Sequence, residues 1–209
     1  MQKKSKPAYA GFFMPVTVII ITPVFLPNKK IADTILQGCL LNFTIMESKE
    51  QAYFIDACRR GDTNEVKQLC DMFPELINAR DAKGFTPLII AVYNHQAAVA
   101  DILLANGADV NVQDFSGNTA LMGTCFKGYA DLADKLLEAG ADVNLRNGQD
   151  APALTFAATF GQLQIAEKLL QKGAVIDFQD ARGKTPLDHA RIQENDAMVA
   201  LIEKYNNQQ

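Results

Sequence analysis

Hydrolytic or metal chemistry needs histidines, cysteines and carboxylates gathered at short spacings, and this chain scatters them. His95 and His189 lie far apart in sequence, and no cluster of carboxylates or cysteines accompanies either. Metals and general bases draw on such clusters, so neither histidine is expected to serve as one. The four cysteines, Cys39, Cys58, Cys70 and Cys125, form no Cys-x-x-Cys pair and show no zinc-like spacing. Cys58 and Cys125 fall where a helix would bury a small residue. They read as reduced core thiols, which suggests a reducing compartment. No Gly-x-Ser-x-Gly, His-Glu-x-x-His or phosphate-loop signature occurs. No catalytic residue, metal ligand or cofactor site is expected, and the acidic residues read mostly as solvated outward positions.

The residue types that stand out are suited to recognition. Phe85, Tyr93, Phe115, Phe126, Phe160 and Ile192 occupy places where polar or small residues would serve a fold, and Arg59, Arg60 and Lys127 accompany them. Aromatic and Arg side chains dominate the energetics of protein interfaces. If exposed together, they form a ridged apolar strip flanked by positive charge. In the competing reading each ring folds back over its own structural unit or the next. The exposed reading predicts that Tyr93→Ser and Phe126→Ser leave stability nearly unchanged. Nucleic acid is not the expected partner, because the chain carries a net charge of −4 and phosphate binding needs a basic face.

The elements that must position these side chains repeat. Asp81, Asp114, Asn147 and Asp180 each open a similar unit at a spacing of 33 residues. A degenerate copy precedes them from about Ser48, one residue longer between Asp71 and Leu76, which makes five units. Fixed periods of this length mark stacked supersecondary units. Within each, a glycine turn such as Lys83-Gly84 or Ser116-Gly117 comes first. Thr86 and Thr185 supply helix N-cap oxygens, with Pro87 and Pro186 at the first helical position. A short helix runs to His95, Gly128 or Gly161. A second helix carries apolar faces such as Ile102-Leu103-Leu104 and Leu136-Leu137, and Gly107, Gly140 and Gly173 stop it. No unit buries its apolar face alone, so neighbours must stack and the ends must be polar.

Thr-Pro-Leu at 86–88 and 185–187, Gly-Ala-Asp-Val-Asn at 107–111 and 140–144, and the period of 33 together closely resemble the ankyrin repeat. The resemblance covers residues 48–209 and implies an all-α ankyrin-repeat solenoid. It has about five helix-turn-helix repeats with hairpin-like turns, at about 48–80, 81–113, 114–146, 147–179 and 180–209. It further implies a non-enzymatic, monomeric module that binds a protein partner through its turn tips and the concave face of its first helices. On that surface lie Arg59, Arg60, Phe85, Tyr93, Phe115, Phe126, Lys127, Phe160 and Ile192. The chain also departs from the pattern. Ile89, Met122, Thr155 and Asp188 replace the histidine usual after Thr-Pro-Leu, which predicts weaker ties between neighbouring loops. Pro152-Ala153-Leu154 replaces Thr-Pro-Leu in unit 147–179, the least regular. Gly123 inside a first helix should cost about 1 kcal/mol against Ala.

Residues 1–46 differ in kind. They hold five Lys and one Asp, a net of +4, whereas residues 47–209 carry a net of −8. Lys3, Lys4 and Lys6 precede an uncharged run over 7–28, interrupted by Pro15 and Pro23 and followed by Lys29 and Lys30. The pattern is compatible with a signal or membrane anchor, with an over-extended start ahead of Met46, or with an ordered extra element. The first would confine membrane contact to residues 7–28. The expected location is cytoplasmic, with a membrane-anchored or exported array protecting an envelope protein as one alternative. A substrate-docking subunit of an enzyme complex is another.

Overall fold

Each unit folds as two antiparallel helices because two stop signals recur at fixed places. The computed structural model describes residues 49–207. The expectations for residues 1–46, Cys39 included, lie outside the described residues. Helix α1 covers 49–60, and α2 covers Thr63–Met72, followed by a 3-10 turn at Pro74–Asn78. Then come α3 (Pro87–Tyr93), α4 (Ala97–Ala105), α5 (Ala120–Lys127) and α6 (Ala130–Glu138). The series ends with α7 (Ala153–Thr159), α8 (Leu163–Gln171), α9 (Pro186–Ile192) and α10 (Asp196–Asn206). Among the described residues this is an all-α stack of five helix pairs.

Caps set the starts. The Thr86 hydroxyl accepts the N–H of Ile89 at 3.3 Å, and Thr119 does the same for Met122 at 3.3 Å. Thr185 accepts from the N–H of Asp188 at 3.2 Å, while the Asp188 carboxylate accepts the N–H of Thr185 at 2.9 Å. Such an N-cap contributes about 1 kcal/mol. Helix α7 has Pro152 at its N-cap, which offers no side-chain bond, and the Thr155 hydroxyl is buried without a partner. The expected irregularity of unit 147–179 is therefore observed. The first helices end slightly before the expected points, at Tyr93, Lys127 and Thr159. Two residues past Tyr93, His95 turns the chain with φ +56, and Gly128 and Gly161 do so at +79 and +68. A left-handed residue cannot continue a helix, so each first helix stops short of it.

First helices pack on first helices (α3 on α5, α5 on α7, α7 on α9), and second helices pack on second helices from α2 to α10. Between the layers runs one apolar core, in which Leu88, Leu103, Leu121, Leu136, Leu154 and Leu169 are buried. Burying each such side chain stabilises by about 1.5–3 kcal/mol. The core also contains Cys58, Cys70 and Cys125, as the sequence suggests for the first and last. No helix among the described residues is long and apolar enough to cross a membrane.

The side-chain bonds that a histidine would make between loops are missing, and other bonds join the repeats. Ile89 and Met122 are buried and pack in the core instead of bonding across loops. Two ladders supply the bonds. At the turn tips, the carbonyls of Lys83, Ser116 and Gln149 accept the N–H groups of Phe115, Gly148 and Ala181 at 3.3, 2.8 and 2.8 Å. At the opposite end of each repeat, Asn78, Asn111 and Asn144 reach one repeat forward. Their Oδ1 atoms accept the N–H groups of Asp109, Asp142 and Val175 at 2.8, 2.8 and 2.9 Å. Their Nδ2 atoms donate to the carbonyls of Gly107, Gly140 and Gly173 at 3.3, 3.4 and 3.1 Å. Asp177 takes the same place in the next repeat but has no side-chain N–H to donate.

Candidate protein-interaction surface

The C-terminal ends of the first helices place two residue columns at the repeat spacing. Arg59, Tyr93, Phe126, Thr159 and Ile192 form one, and Arg60, Asn94, Lys127, Phe160 and Gln193 the other. Because the ladders fix each repeat on the next, residues in a column become neighbours in space. The Phe126 and Phe160 rings meet edge to face, with centroids 4.8 Å apart and planes at 88°. Phe160 also lies over Phe156, at 6.4 Å and 27°. The Lys127 ammonium stands 5.9 Å from the Tyr93 ring centroid and 5.7 Å from that of Phe126. An edge-to-face pair contributes about 0.5–1.5 kcal/mol beyond area burial. An exposed cation over a ring adds about 0.5–1 kcal/mol.

The rings fall into two groups. Phe126 and Phe160 are 44% and 43% exposed, Ile192 is 59% exposed, and Phe115 on a turn tip is 69% exposed. Phe85 and Tyr93 are half-buried against the core and lie over one another at 6.0 Å. Tyr93 also fills the space left by Gly123 in the next repeat, where an added Cβ would stand 3.0 Å from its Cε2. Burial, with the nearby Asp114 charge, pushes the Tyr93 hydroxyl pKa up. This corrects the expectation that Tyr93→Ser leaves stability nearly unchanged. It also shows that Gly123 is more than a weak helix residue, because it makes room for a ring. Phe156, absent from the expected set, joins the strip one turn before Phe160.

The basic flank is less free than its sequence suggests. Arg60 pairs with Asp56 and, at 2.6 Å, with Glu65, while Arg59 lies 3.5 Å from Asp56. Lys127 forms no ion pair among the described residues, where Lys135 and Lys168 pair with Asp101 and Asp134 across repeats.

Each histidine has a single carboxylate partner. His95 Nε2 lies 3.1 Å from Asp131 Oδ1, and its ring stacks on Tyr129 with centroids 4.1 Å apart. His189 Nε2 lies 2.8 Å from Asp180 Oδ2. These carboxylates belong to the next second helix and to the turn opening the same repeat, too far along the chain to read as neighbours. Burial works to raise the Asp131 carboxyl. The hydrogen bonds from His95 and from the Leu132 N–H outweigh it, so the group sits below the usual carboxylate value. Asp180 is lowered in the same manner, burial being offset by the Lys184 N–H, His189 and the Arg182 N–H. Among the described residues, no cluster of three or more potential metal ligands occurs.

Acidic residues in the repeat turns also hold the backbone. Asp81, Asp114 and Asp180 each accept two N–H groups within the turn that they open. Asn147 does so in its own unit. The thiols are set for inertness. Burial, then the neighbouring Cys70, pushes Cys58 up to about 12. Burial, against hydrogen bonding near Thr124, pushes Cys125 up to about 12. A thiol is nucleophilic only as its thiolate.

The geometry is that of a partly exposed aromatic strip carried by stacked repeats. Comparison with known proteins agrees with the architecture. The ankyrin repeats family profile matches three times, at residues 27–114, 55–147 and 121–209. A segment of 66 residues, 32% of this chain, is 36% identical to BTB/POZ domain-containing protein 3 of Schizosaccharomyces pombe and covers 13% of that protein. The match thus spans a small part of that relative's length. The chain belongs to the ankyrin repeat family, whose arrays generally serve as protein–protein interaction modules.

Proposed function

We propose that the chain is a non-enzymatic module that binds a protein partner through the first-helix ends and turn tips. The single observation carrying this reading is the exposed Phe126–Phe160 pair with Lys127 beside it. Apolar rings left in water on a rigid scaffold cost solvation that a partner would relieve, and contiguous exposed apolar surface marks binding sites. Phe115 and Ile192 extend the contact along the repeat axis. Phe85 and Tyr93 support it from beneath, and Arg59 and Arg60 flank it as charges already paired.

Affinity capture from source-cell lysate tests the reading, with the full chain as bait beside a Phe126→Ser/Phe160→Ser bait of matched helical signal and melting temperature. A protein retained by the first bait and lost from the second is the expected result. Equal retention by both baits moves binding to another face.

A further inference from the structure

We infer that the strip takes an acidic, apolar peptide segment, with large apolar side chains on the Phe126–Phe160 pair and a carboxylate on Lys127. This rests on the binding role proposed above and gives the partner its chemistry. The argument comes from how the array distributes charge. Residues 47–209 carry a net of −8, yet much of that acid lies on the second helices and the loops after them, as at Asp101, Asp131, Asp134, Glu138 and Glu167.

On the turn and first-helix side most carboxylates are hydrogen-bonded within the fold, with Glu194 past α9 left exposed and unpaired among the described residues. Asp81, Asp114 and Asp180 hold turn N–H groups at 2.8–2.9 Å. Asp188 holds the Thr185 N–H at 2.9 Å. The bases on that side divide. Arg59 and Arg60 are answered by Asp56 and Glu65. Lys127, and Lys83, Arg182 and Lys184 on the turn tips, form no ion pair among the described residues.

Lys127 stands apart from the tip bases because its ammonium lies over two rings, 5.9 and 5.7 Å from their centroids. A segment seated on the rings would shield that ammonium from water, and shielding strengthens its attraction to a carboxylate. A purely apolar segment would leave the ammonium desolvated without a partner, at a cost. A polyanion such as nucleic acid would meet few bases and several rings. The arrangement favours a segment carrying both chemistries.

The test is selection of a displayed random linear-peptide library on the full chain, followed by fluorescence anisotropy with a labelled selected peptide. Peptides combining Asp or Glu with Leu, Phe or Trp are expected. Lys127→Glu should weaken the labelled peptide about tenfold, equivalent to about 1.4 kcal/mol. Replacing the peptide's acid by Lys should restore binding to that variant. Selected peptides without acidic enrichment, or unchanged affinity in Lys127→Glu, overturn the inference and leave the strip as a binding surface. Peptides held equally by Phe126→Ser/Phe160→Ser, or a selection that yields none, overturn the proposed surface as well.

Discussion

Replacing Glu194 by glycine should make the protein more stable, although it removes a whole side chain. The residue just beyond each first helix has positive φ: +80 at Gly61, +56 at His95, +79 at Gly128, +68 at Gly161 and +53 at Glu194. A residue with a Cβ pays about 1–2 kcal/mol in this region. Glycine returns part of that gain through its freer unfolded chain, about 0.5–1 kcal/mol. Glu194 is exposed and its side chain makes no hydrogen bond or ion pair among the described residues, so nothing offsets the relief. The expected net is about +0.5 to +1 kcal/mol, or a rise in Tm of roughly 1–4 °C for a chain of this size.

His95→Gly relieves the same strain but loses the Tyr129 stack and the Asp131 pair. It should be neutral or destabilising. Thermal and urea unfolding followed by circular dichroism, with Glu194→Ala as the control that keeps the Cβ, separates the cases. A lower Tm for Glu194→Gly, or an equal gain from Glu194→Ala, refutes the strain argument.

Three further outcomes follow from the packing and the charges. Gly123→Ala should lose about 1 kcal/mol despite alanine's better helix propensity, because Tyr93 must move; a gain in Tm would contradict the close contact. Tyr93→Ser should cost about 2 kcal/mol, whereas Phe126→Ser should cost about 1 kcal/mol, mostly its edge-to-face contact with Phe160, both read from urea midpoints. The Asp188 carboxyl is held below its ordinary value by the Thr185 N–H and hydroxyl. Its contribution is therefore full above the unfolded carboxylate value of about 3.9 and fades as pH falls through the lowered native value. The stability gap between wild type and Asp188→Asn should be widest above about pH 4 and close on acidification, and a gap independent of pH would exclude this role.

The fold was legible because its signals are local and repeated. Thr86 with Pro87, Thr185 with Pro186 and the glycines after the second helices each act within a few residues, so the repeat reads directly from spacing. The columns of the strip were legible for the same reason. Exposure within those columns was not. Whether Tyr93 faces water depends on Gly123 in the following repeat, and no rule of local spacing connects them. The pairing of Arg60 with Asp56 was within reach, since the two stand four residues apart on one helix. Phe156 was passed over because a ring one turn before Phe160 reads equally as core. His95 and Asp131 lie 36 residues apart, one repeat plus three, which becomes a neighbour relation only once the stack is built. The loop ties were only half legible, because the histidine position was weighed while the backbone rungs and Asn78, Asn111 and Asn144 were not.

The two ladders also determine how the array would yield to force. Each rung joins a repeat to the one beside it, so no bond in either ladder spans two repeats. A pull applied at both ends would load the junctions in series, and the weakest would part without unloading a distant one. Extension would proceed as a train of small, similar steps, one repeat lengthening while its neighbours stay folded and able to recapture it. Such a stack would lengthen in increments of one repeat.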